Sequence, residues 1–361
     1  MKRSISLLLC LIMLVSLFTA CAKEPAPETT EPAATNEPAA TTEPAEEADA
    51  PASDEEYVFM MCQANIEYWN QHKNAMYDVT KELGVNYSIV GVESADATDI
   101  CTALETVVAQ KPAGIVIAGW FPDAFVPIFE KAWELGVPIA TTTIDVPDSK
   151  RICFFGTDYY NYGKVMADAA AEAVGEAGKV IIVGNLNSGS PSQLDMYNGI
   201  NAQIKEKYPG MEVVSTLEDE ADADVAVQVV SSAITANPDA AVIIGMDALS
   251  GVGSVTALRE VGMEGKVKIV CIDRDAPTLE AIKEGSIYAT VAGKQYSEVY
   301  YAVKMLYDYN HNRVPLVADN KATGIIAQPT ICDPGAVVIT AENVDDFIAY
   351  DINAIKDPNY K

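Results

Sequence analysis

The sequence predicts an α/β protein made of two lobes, each with a parallel β-sheet between helices. Short β-branched runs alternate with amphipathic helical segments from residue 57 to about residue 310. Continuous apolar runs such as residues 180–183 are typical of strands buried on both faces of a parallel sheet. The alternation implies right-handed β-α-β units. Because more than ten strands rarely form one open sheet, we predict two similar halves that divide near residues 156–158.

Each predicted strand is a short apolar run, and each predicted helix has apolar residues at helical spacing. In the first half the strands are predicted at 57–61, 85–90, 114–118, 137–142 and 151–155, and the helices at 70–83, 98–110 and 123–135. In the second half the strands are predicted at 179–183, 211–217, 241–244, 267–272 and 286–292, and the helices at 161–175, 192–207, 222–236, 248–261, 276–284 and 295–310. Two late strands, at 324–327 and 336–339, are expected to return to the lobes.

The first twenty residues have the pattern of a signal peptide. A basic start at residues 1–4 precedes an apolar run at 5–18, which is short for a membrane span. Phe18-Thr19-Ala20-Cys21 resembles the lipobox of bacterial lipoproteins, in which the Cys is lipidated and begins the mature chain. We therefore predict a signal peptide at 1–20 and lipidation of Cys21. An uncleaved anchor, or an ordinary signal peptide cut near Ala20, is the alternative.

Residues 21–56 are predicted to form a disordered acidic tether that starts at the lipidated Cys21. The segment consists almost entirely of Ala, Pro, Glu and Thr, and Glu-Pro-Ala recurs at 31–33, 37–39 and 43–45. Such a segment cannot bury enough apolar surface to offset the entropy of ordering it. Proline and like charges keep it extended.

The composition excludes several classes of function. A formal net charge of −28 and a pI of about 4.3 argue against binding to nucleic acid or directly to anionic lipid. Five Cys lie in the predicted folded body without a Cys-x-x-Cys motif, so we expect free thiols.

No enzyme motif is visible in the sequence. There are two His residues and no Gly-x-x-x-x-Gly-Lys-Ser/Thr motif, and Gly251 and Gly253 lack the third glycine of a dinucleotide-binding fingerprint. The acidic segment 218–224 lacks the spacing of an EF-hand. We therefore predict no enzyme activity, no cofactor and no metal.

The loop after the first predicted strand is the first candidate for a ligand site. Ligands of open α/β sheets bind at the carboxyl ends of the strands, and this loop contains Asn65, Glu67, Tyr68 and Trp69. The aromatic pair is suited to stack on a ligand ring, and the polar pair to bind its hydroxyl groups. Packing at the helix start and helix capping are the alternatives.

An ordered set of short motifs resembles the type 1 periplasmic binding proteins, in the ribose/galactose-type sugar-binding group. The motifs are Lys111-Pro112-Ala113-Gly114-Ile115-Val116-Ile117, Glu134-Leu135-Gly136-Val137-Pro138-Ile139, Asp145-Val146-Pro147, Phe155-Gly156-Thr157-Asp158-Tyr159 and its continuation to Gly163, Asn237-Pro238-Asp239, Ile282-Lys283-Glu284-Gly285, Ala289-Thr290-Val291-Ala292 and Glu342-Asn343-Val344. The resemblance implies two lobes joined by a three-strand hinge, with the ligand bound between them. Lobe one would comprise 57–157 and 294–322, and lobe two 158–293 and 323–361.

The resemblance also suggests site residues in lobe one. Tyr68 and Trp69 fall at the family's stacking aromatic pair. Trp120 ends a strand and is expected either to face the cleft or to lie on the surface. Thr143 stands where many members have a ligand-binding Asp, and Asp145 matches the Asp of an Asp-Ala-Pro motif, so one of the two is expected in the site.

In lobe two, several positions differ from the residues that the family usually has there. Gln193 and Asp195 are the available substitutes for an Arg that this sequence lacks. Asp247 matches an Asn-Asp pair in which Met246 replaces the Asn, and capping of the next helix is its alternative role. Asp273 matches the Asp that ends a family strand.

Two further candidates stand beside these positions. Arg274 would either replace the missing Arg or pair with Asp273 or Asp275. Gly293 stands where the family usually has a Gln, and Gln295 or Lys294 would cover for it.

The predicted function is that of an extracytoplasmic solute-binding lipoprotein, held at the outer face of the cell membrane by Cys21. We expect a monomer that captures a monosaccharide and delivers it to an ABC permease. A ligand-sensing subunit of a signalling system is the alternative, and a nucleoside, polyol or signalling furanose is an open alternative for the ligand.

Overall fold

The computed structural model describes residues 53–360. The predicted signal peptide, Cys21 and most of the predicted tether lie outside the described residues.

The strands and helices alternate along the described chain as predicted. The strands are β1 Glu56–Met61, β2 Asn86–Gly91, β3 Gly114–Ala118, β4 Ile139–Thr142, β5 Cys153–Phe155, β6 Ala177–Gly184, β7 Gly210–Glu218, β8 Ala240–Gly245, β9 Lys268–Ile272, β10 Ala289–Gly293, β11 Ile331–Cys332 and β12 Ala336–Thr340. The helices are α1 Asn70–Leu83, α2 Ala97–Gln110, α3 Pro122–Glu134, α4 Tyr159–Val174, α5 Pro191–Lys207, α6 Ala223–Ala236, α7 Ser250–Glu260, α8 Ala276–Glu284, α9 Gln295–Asn310, α10 Asn320–Thr323 and α11 Val344–Ala349. Short 3₁₀ turns include Glu67–Trp69.

Two six-stranded sheets define two lobes, which confirms the predicted fold class. Lobe one has the strand order β11-β5-β4-β3-β1-β2, and lobe two has β12-β10-β9-β8-β6-β7. All pairs are parallel except β10 with β12. Parallel strands place their carboxyl ends at one edge of each sheet, so the loops that follow them gather there.

Each sheet is covered by helices on both faces. Phe59 in β1 packs in a core with α1 and α9, whereas its neighbour Met60 packs in a second core with α2 and α3. In β6 the same alternation holds, with Val180 facing α4 and α5 and Ile181 facing α6 and α7. Burial on both faces explains why these strands are continuous apolar runs in the sequence.

Three segments cross between the lobes before β12, and a fourth crossing follows near residue 350. The first three are residues 156–158 between β5 and α4, Lys294 between β10 and α9, and residues 333–335 between β11 and β12. At Gly156 an added Cβ would lie 2.4 Å from the Phe154 ring, so a larger residue would force either that ring or this crossing segment to move.

The C-terminal region is divided between the lobes differently from the sequence-based expectation, which assigned all of 323–361 to lobe two. No strand forms at 324–327, where α10 ends at Thr323 and Gly324 is its C-cap. Instead the backbone of Ile331–Cys332 pairs in parallel with β5, so β11 forms the edge strand of the sheet of lobe one.

The last described residues also lie on lobe one. The Asn74 side chain in α1 donates hydrogen bonds to the carbonyls of Ile352 and Ala354, both at 2.9 Å, and accepts one from the Lys356 N–H at 2.9 Å. Since α11 packs on α8 of lobe two, the chain crosses a fourth time near residue 350. Within 53–360, no helix is both long enough and apolar enough to cross a membrane.

Candidate ligand-binding site

A cavity of about 700 Å³ lies between the lobes, where loops after strands of both sheets meet. It is lined by Ile66, Tyr68, Ala95, Trp120, Phe121, Thr143, Ile144, Thr157, Tyr159, Tyr162, Ser188, Gly189, Ser190, Pro191, Ser192, Gln193, Met196, Ile272, Asp273, Gly293 and Gln295. Five aromatic rings and one carboxylate are among these residues, and none of them is Lys, Arg or His. Six of the predicted site residues line this cavity: Tyr68, Trp120, Thr143, Gln193, Asp273 and Gln295.

The wall from lobe one combines two aromatic rings with a hydroxyl group. Tyr68 belongs to the 3₁₀ turn after β1, and Trp120 follows β3. Burial is the main cause that raises the pKa of Tyr68 well above its usual value, so its hydroxyl group stays protonated. Thr143 follows β4 with a positive φ of 63°, a conformation that turns the chain at the cavity edge.

Trp69 was predicted to line the site, but the structure places it behind the wall. Its side chain is fully buried, and Nε1 donates a hydrogen bond of 2.9 Å to the Cys62 carbonyl. Its ring centroid lies 4.8 Å from that of Tyr68 and 5.9 Å from that of Trp120. Trp69 therefore supports the two rings that do face the cavity.

Asp273 supplies the carboxylate of the wall from lobe two. It follows β9 with a positive φ of 69°, and its carbonyl accepts a 2.6 Å hydrogen bond from Thr290 Oγ1. Burial, with a smaller contribution from Asp275, raises the pKa of Asp273 to about 6. This carboxylate therefore loses its negative charge as the pH falls through about 6.

Gln193 is held at the cavity by the loop after β8. Its Nε2 donates a 2.9 Å hydrogen bond to the Met246 carbonyl, while Oε1 is buried and has no hydrogen-bond partner among the described residues. A free amide oxygen can accept a hydrogen bond from a ligand.

Gln295 lies beside the crossing segment at Lys294. Its Nε2 is 2.9 Å from the point where a Cβ at Gly293 would stand. The amide of Gln295 thus occupies the space that a side chain at position 293 would need.

A smaller cavity of about 190 Å³ adjoins the first and is lined in part by Glu67 and Arg274. It shares Tyr68 and Asp273 with the larger cavity. Arg274 donates a 2.9 Å hydrogen bond to Gln71 Oε1 and so links lobe two to α1 of lobe one. The predicted pairing of Arg274 with Asp273 or Asp275 is not among the hydrogen bonds or ion pairs of the described residues.

Besides Trp69, four predicted site residues lie outside both cavities. Asn65 and Asp195 are exposed and line neither cavity. Asp145 forms an ion pair with Arg151, with 2.6 Å between Oδ2 and the guanidinium, because Arg151 is buried and needs a partner.

Asp247 is the fourth, and its alternative role as a helix cap is the one the structure shows. Its carboxylate accepts hydrogen bonds of 3.0 Å from the N–H groups of Leu249 and Ser250 at the start of α7. Burial, together with the neighbouring Asp219, raises the pKa of Asp247 to about 7.

The sequence analysis missed several lining residues. They are mainly the apolar or hydroxyl-bearing residues Phe121, Thr157, Tyr159, Tyr162 and Met196. A signal for the two tyrosines existed, because they follow the crossing segment 156–158 in a motif that the resemblance had already identified.

Two lobes, joined by crossing segments and enclosing a polar and aromatic cavity, define a solute-binding protein of the two-lobed class. The family model for the periplasmic binding protein domain matches residues 57–312, and the chain belongs to this family.

Comparisons with individual proteins agree with this assignment. The chain is similar to AraP, an arabinose-binding protein from Geobacillus stearothermophilus, with 29% identity and a TM-score of 0.74, over 83% of this chain and 100% of that one. It is similar to a sugar-binding protein of a sugar ABC transporter from Bacillus halodurans, with 27% identity and a TM-score of 0.75, over 81% and 100%. It is 22% identical to the xylose/arabinose-binding protein XylF of Sulfolobus acidocaldarius over 281 residues. That match covers 74% of this chain and 66% of the relative, slightly less than two thirds of its length.

Proposed function

We propose that this protein captures a neutral monosaccharide in the cavity between its lobes and delivers it to an ABC permease. The observation that carries the proposal is the pairing of aromatic faces with planar polar groups around one cavity. A sugar ring has apolar faces that stack on aromatic side chains and a rim of hydroxyl groups that hydrogen-bond to carboxylates and amides.

The charge of the cavity supports a neutral ligand. Asp273 contributes a negative charge, and no Lys, Arg or His among the lining residues would neutralise an acidic ligand. A carboxylate or phosphate on the ligand would meet Asp273 without a cationic partner, which is unfavourable in a partly dehydrated cavity.

The names of the similar proteins support a sugar as the ligand. AraP is described as arabinose-binding, and the Sulfolobus protein as xylose/arabinose-binding. The Bacillus halodurans protein is described as part of a sugar ABC transporter, which supports delivery to a permease.

Binding without chemical conversion is part of the proposal. The sequence has two His residues, and the larger cavity is lined by neither. One chain supplies both walls of the cavity, which supports action as a monomer. We further propose that residues 1–20 are a signal peptide and that lipidated Cys21 holds the protein at the membrane, on the basis of the sequence pattern 18–21.

A thermal-shift screen tests the ligand class. The chain from residue 22 onward, which keeps every described residue, is heated with L-arabinose, D-xylose, D-ribose, D-galactose, a nucleoside, a polyol and an amino acid. A sugar at about 100 times its Kd should raise the free energy of unfolding by about 2.7 kcal/mol. For a body of this size, that corresponds to a rise of roughly 5 °C in Tm. A response to the amino acid or the nucleoside, with none to the sugars, would refute the proposed ligand class.

A further inference from the structure

A buried His and a buried Glu lie directly behind the cavity wall of lobe one. The side chain of His72, in α1, is fully buried, and Glu298, in α9, is 2% exposed. His72 Nε2 lies 3.5 Å from Glu298 Oε2. Neither residue lines the larger cavity, and sugar binding as proposed above does not use them.

The ring of His72 is packed against the aromatic residues that form and support the wall. It is stacked on Phe59, with 5.7 Å between ring centroids and 7° between ring planes. Its centroid lies 5.2 Å from that of Tyr68 and 4.9 Å from that of Trp69. A shift of His72 would therefore be transmitted to the Tyr68 ring at the cavity.

The carboxylate of Glu298 accepts hydrogen bonds from hydroxyl groups of two other segments. Oε2 accepts a 2.7 Å hydrogen bond from Thr142 and a 3.4 Å one from Thr143, and Oε1 accepts a 3.2 Å one from Thr157. Thr143 and Thr157 line the cavity, and Thr157 belongs to the crossing segment 156–158. Since α9 begins directly after the crossing at Lys294, Glu298 ties two crossing segments to the wall of lobe one.

A proton on His72 Nε2 would complete this arrangement. A buried carboxylate is costly unless its charge is compensated by hydrogen bonds or by a positive partner. The three hydroxyl groups supply part of this compensation. The separation of 3.5 Å exceeds that of an ordinary N–H···O hydrogen bond, and Nε2 is buried with no hydrogen-bond partner among the described residues.

We propose that His72 and Glu298 act as a positioning pair for the ligand site. His72 directs an Nε2 proton at Glu298, Glu298 holds the hydroxyl groups of Thr143 and Thr157 at the cavity, and the His72 ring holds Tyr68. The positioning role rests on the proposed sugar binding, whereas the contact between the two side chains does not.

Nitrogen NMR of the ring tests the contact independently of any ligand. The sequence has only two His residues, so ¹⁵N-histidine labelling gives two ring systems, and a His311→Gln variant assigns them. We expect His72 to carry its proton on Nε2, and its ring signals to move in Glu298→Gln. Glu260→Gln, which changes an exposed carboxylate on α7, should leave them unchanged. An unprotonated Nε2, or His72 signals unaffected by Glu298→Gln, would overturn the pair.

Calorimetry with L-arabinose tests the positioning role. We expect Glu298→Gln and His72→Leu to weaken binding about tenfold, with His72→Gln, which keeps a side-chain N–H, recovering part of the loss. Unchanged affinity in folded Glu298→Gln overturns the positioning role. Should Glu298→Gln fail to fold, two measurements still test the proposal. They are the position of the proton on wild-type His72 and the affinity of the two His72 variants for L-arabinose. Should wild-type protein bind no sugar, the proposed function fails, while the ring signals still decide whether the contact exists.

Discussion

Replacing Asp273 by alanine is expected to weaken sugar binding by about a hundredfold. A hydrogen bond to a charged group contributes roughly 1.5–3 kcal/mol, and a sugar hydroxyl group left without its acceptor adds to the loss. A change of about 2.7 kcal/mol corresponds to the hundredfold effect. Isothermal titration calorimetry with the sugar that raises Tm measures it.

Asp195→Ala is the matched control for this experiment. Asp195 was also a predicted site residue, but its side chain is exposed and lies outside both cavities. Its removal should leave Kd unchanged. An Asp195 variant that loses more affinity than the Asp273 variant would contradict the arrangement of the wall from lobe two.

The same carboxylate should make sugar binding depend on pH. Since the pKa of Asp273 is raised to about 6, roughly one tenth of the carboxyl groups are ionised at pH 5. Sugar hydroxyl groups donate to the ionised form, so affinity should fall about tenfold between pH 8 and pH 5. In Asp273→Asn, this dependence should disappear.

The stability of the ligand-free protein should respond to pH in the opposite direction. A carboxyl group whose pKa is raised by folding favours the folded state while it is protonated, and this contribution is lost as the pH rises through the folded-state value. Both Asp273, at about 6, and Asp247, at about 7, contribute with this sign. If the affinity for the sugar and the contribution of Asp273 to the free energy of unfolding both rose with pH, the assigned protonation states would be wrong.

Replacing Trp69 by alanine is expected to reduce the free energy of unfolding by about 3–5 kcal/mol, since a fully buried aromatic side chain is removed and a cavity is left. Sugar affinity should fall as well, because Tyr68 and Trp120 lose the ring that supports them. Urea unfolding and calorimetry measure the two effects.

Two further variants separate the effect on stability from the effect on the site. Trp69→Phe keeps an aromatic ring and should retain most of the affinity. Trp133→Ala removes a Trp that packs on Tyr309 in α9, away from the cavity, and should lower stability without changing Kd. Full affinity in folded Trp69→Ala would show that the wall does not need this support.

Tyr68 and Trp69 show how far sequence reasoning reaches. Both were identified as candidates because they follow the first strand, where ligands of such sheets bind. They lie in a 3₁₀ turn, in which successive side chains point about 120° apart. The turn directs Tyr68 to the cavity and Trp69 into the core. The position of the turn could not be predicted from the residues alone.

The acidic candidates show the same limit for polar groups. Asp145, Asp247 and Asp273 all follow strands, and all three were candidates for the site. The structure gives Asp145 a buried Arg partner and Asp247 a helix start to cap, and leaves the Asp273 carboxylate facing the cavity. Which carboxylate is available to a ligand depends on partners distant in the chain.

The alternation of strands and helices, the division into two sheets and the family could be predicted from the residues alone. The alternation and the two sheets follow from apolar runs and helical spacing, and the family follows from the resemblance of short motifs. All of these are local properties of the chain. The folded structure was needed to show which side chains face the cavity, that β11 and the last described residues belong to lobe one, and that His72 lies against Glu298. Those features depend on contacts between residues far apart in the chain, and no local sequence pattern shows which of these contacts form.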